Sequence, residues 1–287
     1  MTPRALRRLL LSPPACRDPR ALRAAVAGQT VAVTGASSGI GRATALLLGA
    51  AGAEVLLLAR RTAELERVQA EIGAHGGRAH VYPLDLADPQ AVQALAAHLL
   101  TRHPRLHALI SNAGKSVRRP VGASADRRDL ERQLAVNVTG PAALTLALLP
   151  ALTRAGGVIV NVSSVSARPP GVPRWAGYQG SKAGFDLWLH SLGAELRADG
   201  VRVSSVYLPL TRTPMIAPTR AYRFLPALTP HEAAQAVVRP LVHPELRVAP
   251  WWLTGQELAA LLAPAALQRL LGTLERGERR LGRQARR

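Results

Sequence analysis

Tyr178 and Lys182 stand four residues apart in the run Tyr178-Gln179-Gly180-Ser181-Lys182. On a helix that spacing puts a phenol and an ammonium on one face. A tyrosine ordinarily titrates at about 10. A neighbouring cation favours its phenolate and brings proton transfer closer to neutral pH. Upstream, Asn161-Val162-Ser163-Ser164 closes a short apolar run, so a hydroxyl can face the same cleft. Asn112-Ala113-Gly114 and Asn137 come earlier still. YxxxK alone arises often by chance, so its weight comes from this company.

A second constellation suits a dinucleotide. Thr34-Gly35-Ala36-Ser37-Ser38-Gly39-Ile40-Gly41 lies between an apolar run and an Ala/Leu-rich helical stretch. Glycines there let the backbone turn sharply and approach a pyrophosphate, at a helix N-terminus that offers free N–H groups. By itself the pattern is an ordinary turn; its place after a first strand, in a chain of βα units, gives it meaning. The next strand ends Ala59-Arg60-Arg61. An NAD site places an acid there for the ribose 2′-hydroxyl. Here the acid is missing, and Arg60 suits a 2′-phosphate, so NADP(H) is expected.

The elements that must carry these residues alternate regularly. Apolar strand runs are expected at 30–33, 54–59, 79–84, 108–111, 158–162 and 201–208. Helices are expected at 40–51, 62–75, 89–102, 126–153 and 176–198. Continuous apolar strands alternating with helices mean a parallel sheet covered on both faces. The expected fold is α/β, a doubly wound Rossmann-type parallel sheet in three α/β/α layers, with ligands at the carboxyl ends of the strands. Residues 1–27 read as a basic, proline-rich extension, 28–255 as the catalytic domain, and 256–287 as an amphipathic basic helix and tail. The tail's leucine stripe, from Leu258 to Leu271, reads as a helix docked on the core with a solvated end. The alternative is a helix lying on a membrane surface or a partner.

Composition narrows the field. A chain of 287 residues accommodates one large α/β domain. Its 48% hydrophobic content suits a packed core, which must rest on Leu, Val and Ala because aromatics are only 3%. Lysine occurs only at 115 and 182, so the formal charge of +19 is almost all arginine. That charge favours nucleotides, coenzyme A or an anionic membrane surface. No basic stretch carries the interleaved aromatics of a nucleic-acid reader. One cysteine, Cys16, rules out an internal disulfide framework, and the scattered histidines imply no metal. The run Arg4, Arg7, Arg8 precedes too short an apolar stretch for a signal peptide, and no stretch is expected to reach transmembrane length. A cytoplasmic protein is expected.

In order along the chain, TGxxxGxG, NAG, an asparagine in Asn-Val-Thr-Gly, the serine and YxxxK resemble the short-chain dehydrogenase/reductase family over about residues 28–250. The resemblance implies that Tyr178 is the proton donor or acceptor, Ser164 polarises the carbonyl, Lys182 holds the nicotinamide ribose and tunes Tyr178, and Asn137 anchors a water in a proton relay. Ser163 competes with Ser164, whose spacing to Tyr178 fits better. Asp85 would touch the adenine. Gly35, Ser37, Ser38, Gly39, Ile40, Gly41, Asn112, Ala113, Gly114 and Thr213 complete the implied cofactor site. The family's Pro-Gly after the sixth strand is here Pro209-Leu210, which puts the local backbone in question, though Thr213 still matches.

Lys115 to Arg119, the segment after Pro209, Phe224 to Leu228 and Pro230 to Ala234 resemble a narrower group, the bacterial fatty acyl-CoA reductases of that family. The implied reaction is reduction of a long-chain acyl-CoA to a fatty aldehyde, with Arg118, Arg119, Arg212 and Arg220 either meeting coenzyme A phosphates or solvated. The alternatives are an NADP-dependent alcohol dehydrogenase or ketoreductase on a lipophilic substrate, and a non-catalytic NADPH sensor. A homo-oligomer is expected by analogy, with peripheral membrane contact open to the basic tail.

Overall fold

The computed structural model of the chain describes residues 11–120, 122, 128–217, 219, 222 and 224–284. The basic run Arg4, Arg7, Arg8, the expected helix start at Asp126, Arg220 and the final arginines 286–287 lie outside the described residues.

Seven strands form one parallel sheet in the order β3-β2-β1-β4-β5-β6-β7. They are β1 Thr30–Thr34, β2 Glu54–Ala59, β3 Arg78–Pro83, β4 Ala108–Ser111, β5 Val158–Ser164, β6 Arg202–Leu208 and β7 Arg247–Val248. β7 has no counterpart among the expected strands; two residues are too short to show a period. The order reverses between β1 and β4, with Val33 opposite Ile110. Crossovers leave that point in opposite directions, opening the crevice where ligands of such sheets bind.

Helices cover both faces. α1 Pro19–Val26, α2 Gly39–Ala50 and α3 Thr62–Ala74 precede α4 Pro89–Arg102, α5 Arg128–Leu134 and α6 Gly140–Ala155. α7 Ala176–Leu196, α8 Pro230–Val237, α9 Arg239–Val242, α10 Trp252–Leu262 and α11 Pro264–Gln284 follow. Alternate strand residues feed two cores. Val31, Val33, Val55 and Leu57 join one with α1, α2 and α8; Ala32, Leu56, Leu58 and Ile159 join the other with α4, α6 and α7. Leu57 and Leu58 are almost wholly buried, and each such side chain contributes about 1.5–3 kcal/mol. Local chemistry agrees with the packing at the helix starts. Asp88 accepts from Gln90 N and Ala91 N ahead of Pro89, and Thr229 and Glu232 form a reciprocal capping box.

Three differences from the sequence pattern have physical causes. The described part of the N-terminal extension is integrated: Cys16, Leu22 and Val26 are buried in the first core, because α1 is amphipathic and Cys16 N bonds Gln235 O. The helical stretch expected over 126–153 contains a π turn, Ala135–Thr139, between α5 and α6. The whole run Arg128–Ala155 is long and apolar enough to cross a membrane by length and composition, contrary to the expectation above. Its apolar side chains nevertheless serve the second core, where Leu144, Leu148 and Leu152 are buried. The chain end divides into α10 and α11, whose Leu267 and Leu271 are half-buried while Leu258, Leu261, Leu262, Leu270 and Leu274 are exposed.

Candidate active site

A cavity of about 840 Å³ lies at the carboxyl ends of β1, β2, β4 and β5. The loop after β1 forms one wall. Gly35 has φ +69, and a Cβ there would meet Ala113 Cα at 3.0 Å. A Cβ on Gly41 would lie 2.3 Å from Gly35 O. Only glycine allows this tight turn into α2. Thr34 ties the loop to its neighbour: its Oγ1 accepts from Asn112 N and Ala113 N at 2.9 and 3.0 Å, while Asn112 Nδ2 donates to Thr34 O at 2.8 Å. Gly39 packs against Thr213, since a Cβ there would meet Thr213 Cγ2 at 3.1 Å. Gly35, Ser37, Ser38, Gly39, Ile40, Arg60, Asp85, Asn112, Ala113, Gly114, Tyr178, Lys182 and Thr213 all line this space. Gly41 lies behind the turn.

The β2 end is basic. Arg61 Nη2 donates to Ser37 Oγ at 3.1 Å, and Arg60 lies 3.9 Å from Asp85. Arg61, Ser37 and Arg60 all line the cavity at this end. The sequence reading named Arg60 and Ser37 but not Arg61. The signal was present as the second of two arginines, masked by an arginine-rich composition.

At the other end α7 presents Tyr178 and Lys182. Burial pushes the Tyr178 phenol up, the hydrogen bond with Ser164 pulls it back, and Tyr222 pushes it further up. Lys182 is also desolvated: its Nζ donates to Val162 O at 3.0 Å, and burial draws it down to about 8 against the opposing pull of Asp186. Ser164 Oγ lies 2.9 Å from Ser166 Oγ. The neighbouring Ser163 lines the cavity, and its buried Oγ has no hydrogen-bond partner among the described residues. That orphaned hydroxyl and the glycine cradle fit a bound dinucleotide.

Asn137 sits in the π turn, where the extra residue aims its side chain out of the helical ladder. Its Oδ1 accepts from Lys115 N at 2.7 Å, and its Nδ2 donates to Lys115 O and Ser181 Oγ at 2.8 and 2.9 Å. It clamps the loop after β4 to the helix bearing Tyr178.

One buried group escaped the sequence reading. Asp186 is 1% exposed, one turn beyond Lys182. It accepts from Ser205 Oγ and Tyr207 OH at 2.6 Å each, and from Asn161 Nδ2 at 2.9 Å. No spacing rule marks it, because its partners come from β5 and β6 and meet only in the fold.

Among the described residues, no group of His, Cys, Asp and Glu could hold a metal ion. Comparison with known proteins agrees with this arrangement. The family model described as short chain dehydrogenase matches residues 29–223. A fatty acyl-CoA reductase of Acinetobacter baylyi is 42% identical over 226 residues, covering 78% of this chain and 76% of that one. A metagenomic short-chain oxidoreductase solved in complex with NADP is 32% identical, with a TM-score of 0.67 over 78% of this chain and 96% of its own. A short chain dehydrogenase from Burkholderia cenocepacia, also in complex with NADP, is 28% identical, with a TM-score of 0.73 over 85% and 98%.

Proposed function

The chain belongs to the short-chain dehydrogenase/reductase family, an NADP-dependent oxidoreductase, and on that premise we propose that it reduces a long-chain acyl-CoA to a fatty aldehyde. The observation carrying this reading is the 42% identity to a fatty acyl-CoA reductase across most of both chains. The space beside Tyr178 supports it, being lined by Trp175, Tyr222, Val117, Met215 and Ile216 together with Arg118 and Arg119.

The chemistry supplied by bound NADPH is delivery of hydride to the thioester carbonyl carbon. Arg60, Arg61 and Ser37 would hold its 2′-phosphate, the 35–41 loop its pyrophosphate, and Lys182 its nicotinamide ribose. Ser164 donates to the carbonyl oxygen and withdraws charge from the carbon. Tyr178, its pKa pushed up by burial, keeps its proton through the neutral range and gives it to that oxygen, leaving a hemithioacetal on the substrate. When the C–S bond breaks, the hydroxyl proton returns to Tyr178 and coenzyme A leaves as a thiolate that takes a proton from water. No cysteine takes part, and Cys16 is buried far along the chain from this cleft. Asn137 positions the Lys115 loop and lies where a water relay to Lys182 would pass.

The decisive assay is NADPH consumption with palmitoyl-CoA, with free thiol scored in parallel. Matched oxidation and thiol release establish the thioester reductase. NADPH binding without turnover moves the reading to a ketone and alcohol panel, and silence there to a sensor.

The rate should also report Lys182. Its charged form is the one that holds a ribose hydroxyl, so kcat/KM is expected to fall above pH about 8. Asp186 opposes the lowering of that pKa. Asp186→Asn therefore moves the alkaline limb to lower pH. A limb that stays put in this variant would mean that another group titrates there.

The expected cytoplasmic location carries over with this reading, with the protein peripheral to a membrane. The leucines exposed on α10 and α11, beside Arg269 and Arg276, fit an anionic membrane surface. Leu130, Leu146 and Leu187, exposed on the long helices, fit a second copy. Vesicle co-sedimentation and light scattering test the two, and a monomer that ignores anionic vesicles would remove both.

A further inference from the structure

Beyond Tyr178 the cleft continues into a smaller cavity of about 260 Å³, lined by Val117, Arg118, Trp175, Met215 and Tyr222 among others. Met215 lines both cavities, so the two are neighbours. An aromatic ladder leads outward: the Tyr178 and Trp175 rings are 5.4 Å apart, and Trp175 stacks on Tyr222 at 6.2 Å and 10°. Substrate running from Tyr178 along this ladder meets Arg118 at the rim.

Arg118 of that lining, and Arg174 just before Trp175 in the chain, are held by carboxylates from a single helix. Glu278 of α11 accepts twice from Arg118 Nη2, at 2.8 and 2.7 Å, and once from Arg174 Nη1 at 2.7 Å. Glu275, one turn earlier, accepts from Arg174 Nε and Nη2 at 2.7 and 3.2 Å. Arg119 N donates to Arg174 O at 2.9 Å, which joins the two loops that carry the guanidiniums. Arg174 has φ +68, among the described non-glycine residues the one positive value. A left-handed arginine costs backbone energy and persists where its surroundings demand it. Its side chain is only 14% exposed. The arrangement is thus a prebuilt, partly enclosed pair of guanidinium forks, whose geometry matches phosphate as well as carboxylate.

We propose that Arg118 and Arg174 form an anion subsite for the phosphate esters of a coenzyme A substrate, and that Glu275 and Glu278 fill it as internal competitors until that substrate displaces them. The inference rests on the thioester reading and names the part of the substrate that this rim recognises. The 3′-phosphate monoester of coenzyme A carries more charge than either carboxylate and can take both forks at once. Its arrival releases α11 from the cleft rim, so the C-terminal helix acts as a lid over the acyl chamber.

The test uses the NADPH-loaded full chain. Free coenzyme A binding is measured by calorimetry, and kcat/KM is compared for decanoyl-CoA and the decanoyl thioester of N-acetylcysteamine, which has no phosphate. Arg118→Gln is expected to weaken coenzyme A about tenfold and to lower the ratio of the two kcat/KM values by a similar factor. The double variant Glu275→Gln, Glu278→Gln is expected to tighten coenzyme A several-fold, a gain that misfolding cannot produce. Both effects shrink as added salt screens the charges. An unchanged ratio and unchanged affinity in both variants would overturn the subsite. Reduction of both thioesters without such dependence keeps the reductase and removes the subsite. Coenzyme A binding that follows these residues, with neither thioester reduced, keeps the subsite and removes the reductase.

Discussion

Replacing Tyr178 with phenylalanine is expected to lower kcat by about 10²–10⁴-fold, the range that a positioned proton donor supplies. The phenol is enclosed, and the pull of Ser164 acts against the effect of that burial. Burial raises its pKa, so the proton is present at neutral pH and can be given to a developing alkoxide. Phenylalanine keeps the ring against Trp175 and removes only the hydroxyl, so the loss should lie in kcat with the melting temperature little changed. Single-turnover rates of NADPH oxidation at saturating substrate measure it. A variant that kept full activity would mean that the proton comes from elsewhere.

The next largest effect is expected at the β2 end. Converting Arg60 and Arg61 together to alanine should raise the KM for NADPH by about 10–100-fold, while NADH is affected little. Charge-assisted hydrogen bonds contribute about 1.5–3 kcal/mol each in favourable cases. Arg60 has a side chain 72% exposed, so solvent screening reduces its share. Arg61 is braced by Ser37 and is expected to account for most of the loss in the single variants. Cofactor titration by fluorescence with both nucleotides separates the cases. Equal weakening of NADPH and NADH would place the arginines on the shared part of the dinucleotide.

How far the sequence could be read follows from what each signal needed. Strands and helices were legible because burial on both faces imposes apolar runs, and amphipathic cover imposes helical spacing; both are local patterns. The TGxxxGxG turn, the missing acid before Arg60 and the Tyr178–Lys182 pair are local too, since each function needs residues a few positions apart. The choice of Ser164 over Ser163 rests on spacing; in the fold Ser163 lines the cavity and Ser164 draws the Tyr178 phenol down against its burial.

Other features depended on residues distant in sequence. The π turn holding Asn137 arises from packing between α5, α6 and α7, and nothing in the run Ala135–Thr139 announces an extra residue per turn. Asp186 looks like any helix-surface acid until β5 and β6 bring Asn161, Ser205 and Tyr207 around it. Arg61 and Ser37 are 24 positions apart and meet only across the strand ends. The clamp of Glu275 and Glu278 on Arg118 and Arg174 spans more than a hundred residues. By itself, then, the sequence determined the layers, the sheet, the glycine turn and the Tyr178–Lys182 pair, because local periodicity and short motifs encode them. Tertiary structure alone decided the electrostatic surroundings of those groups and the rim of the cleft, because burial and ion pairing act between residues that the chain separates.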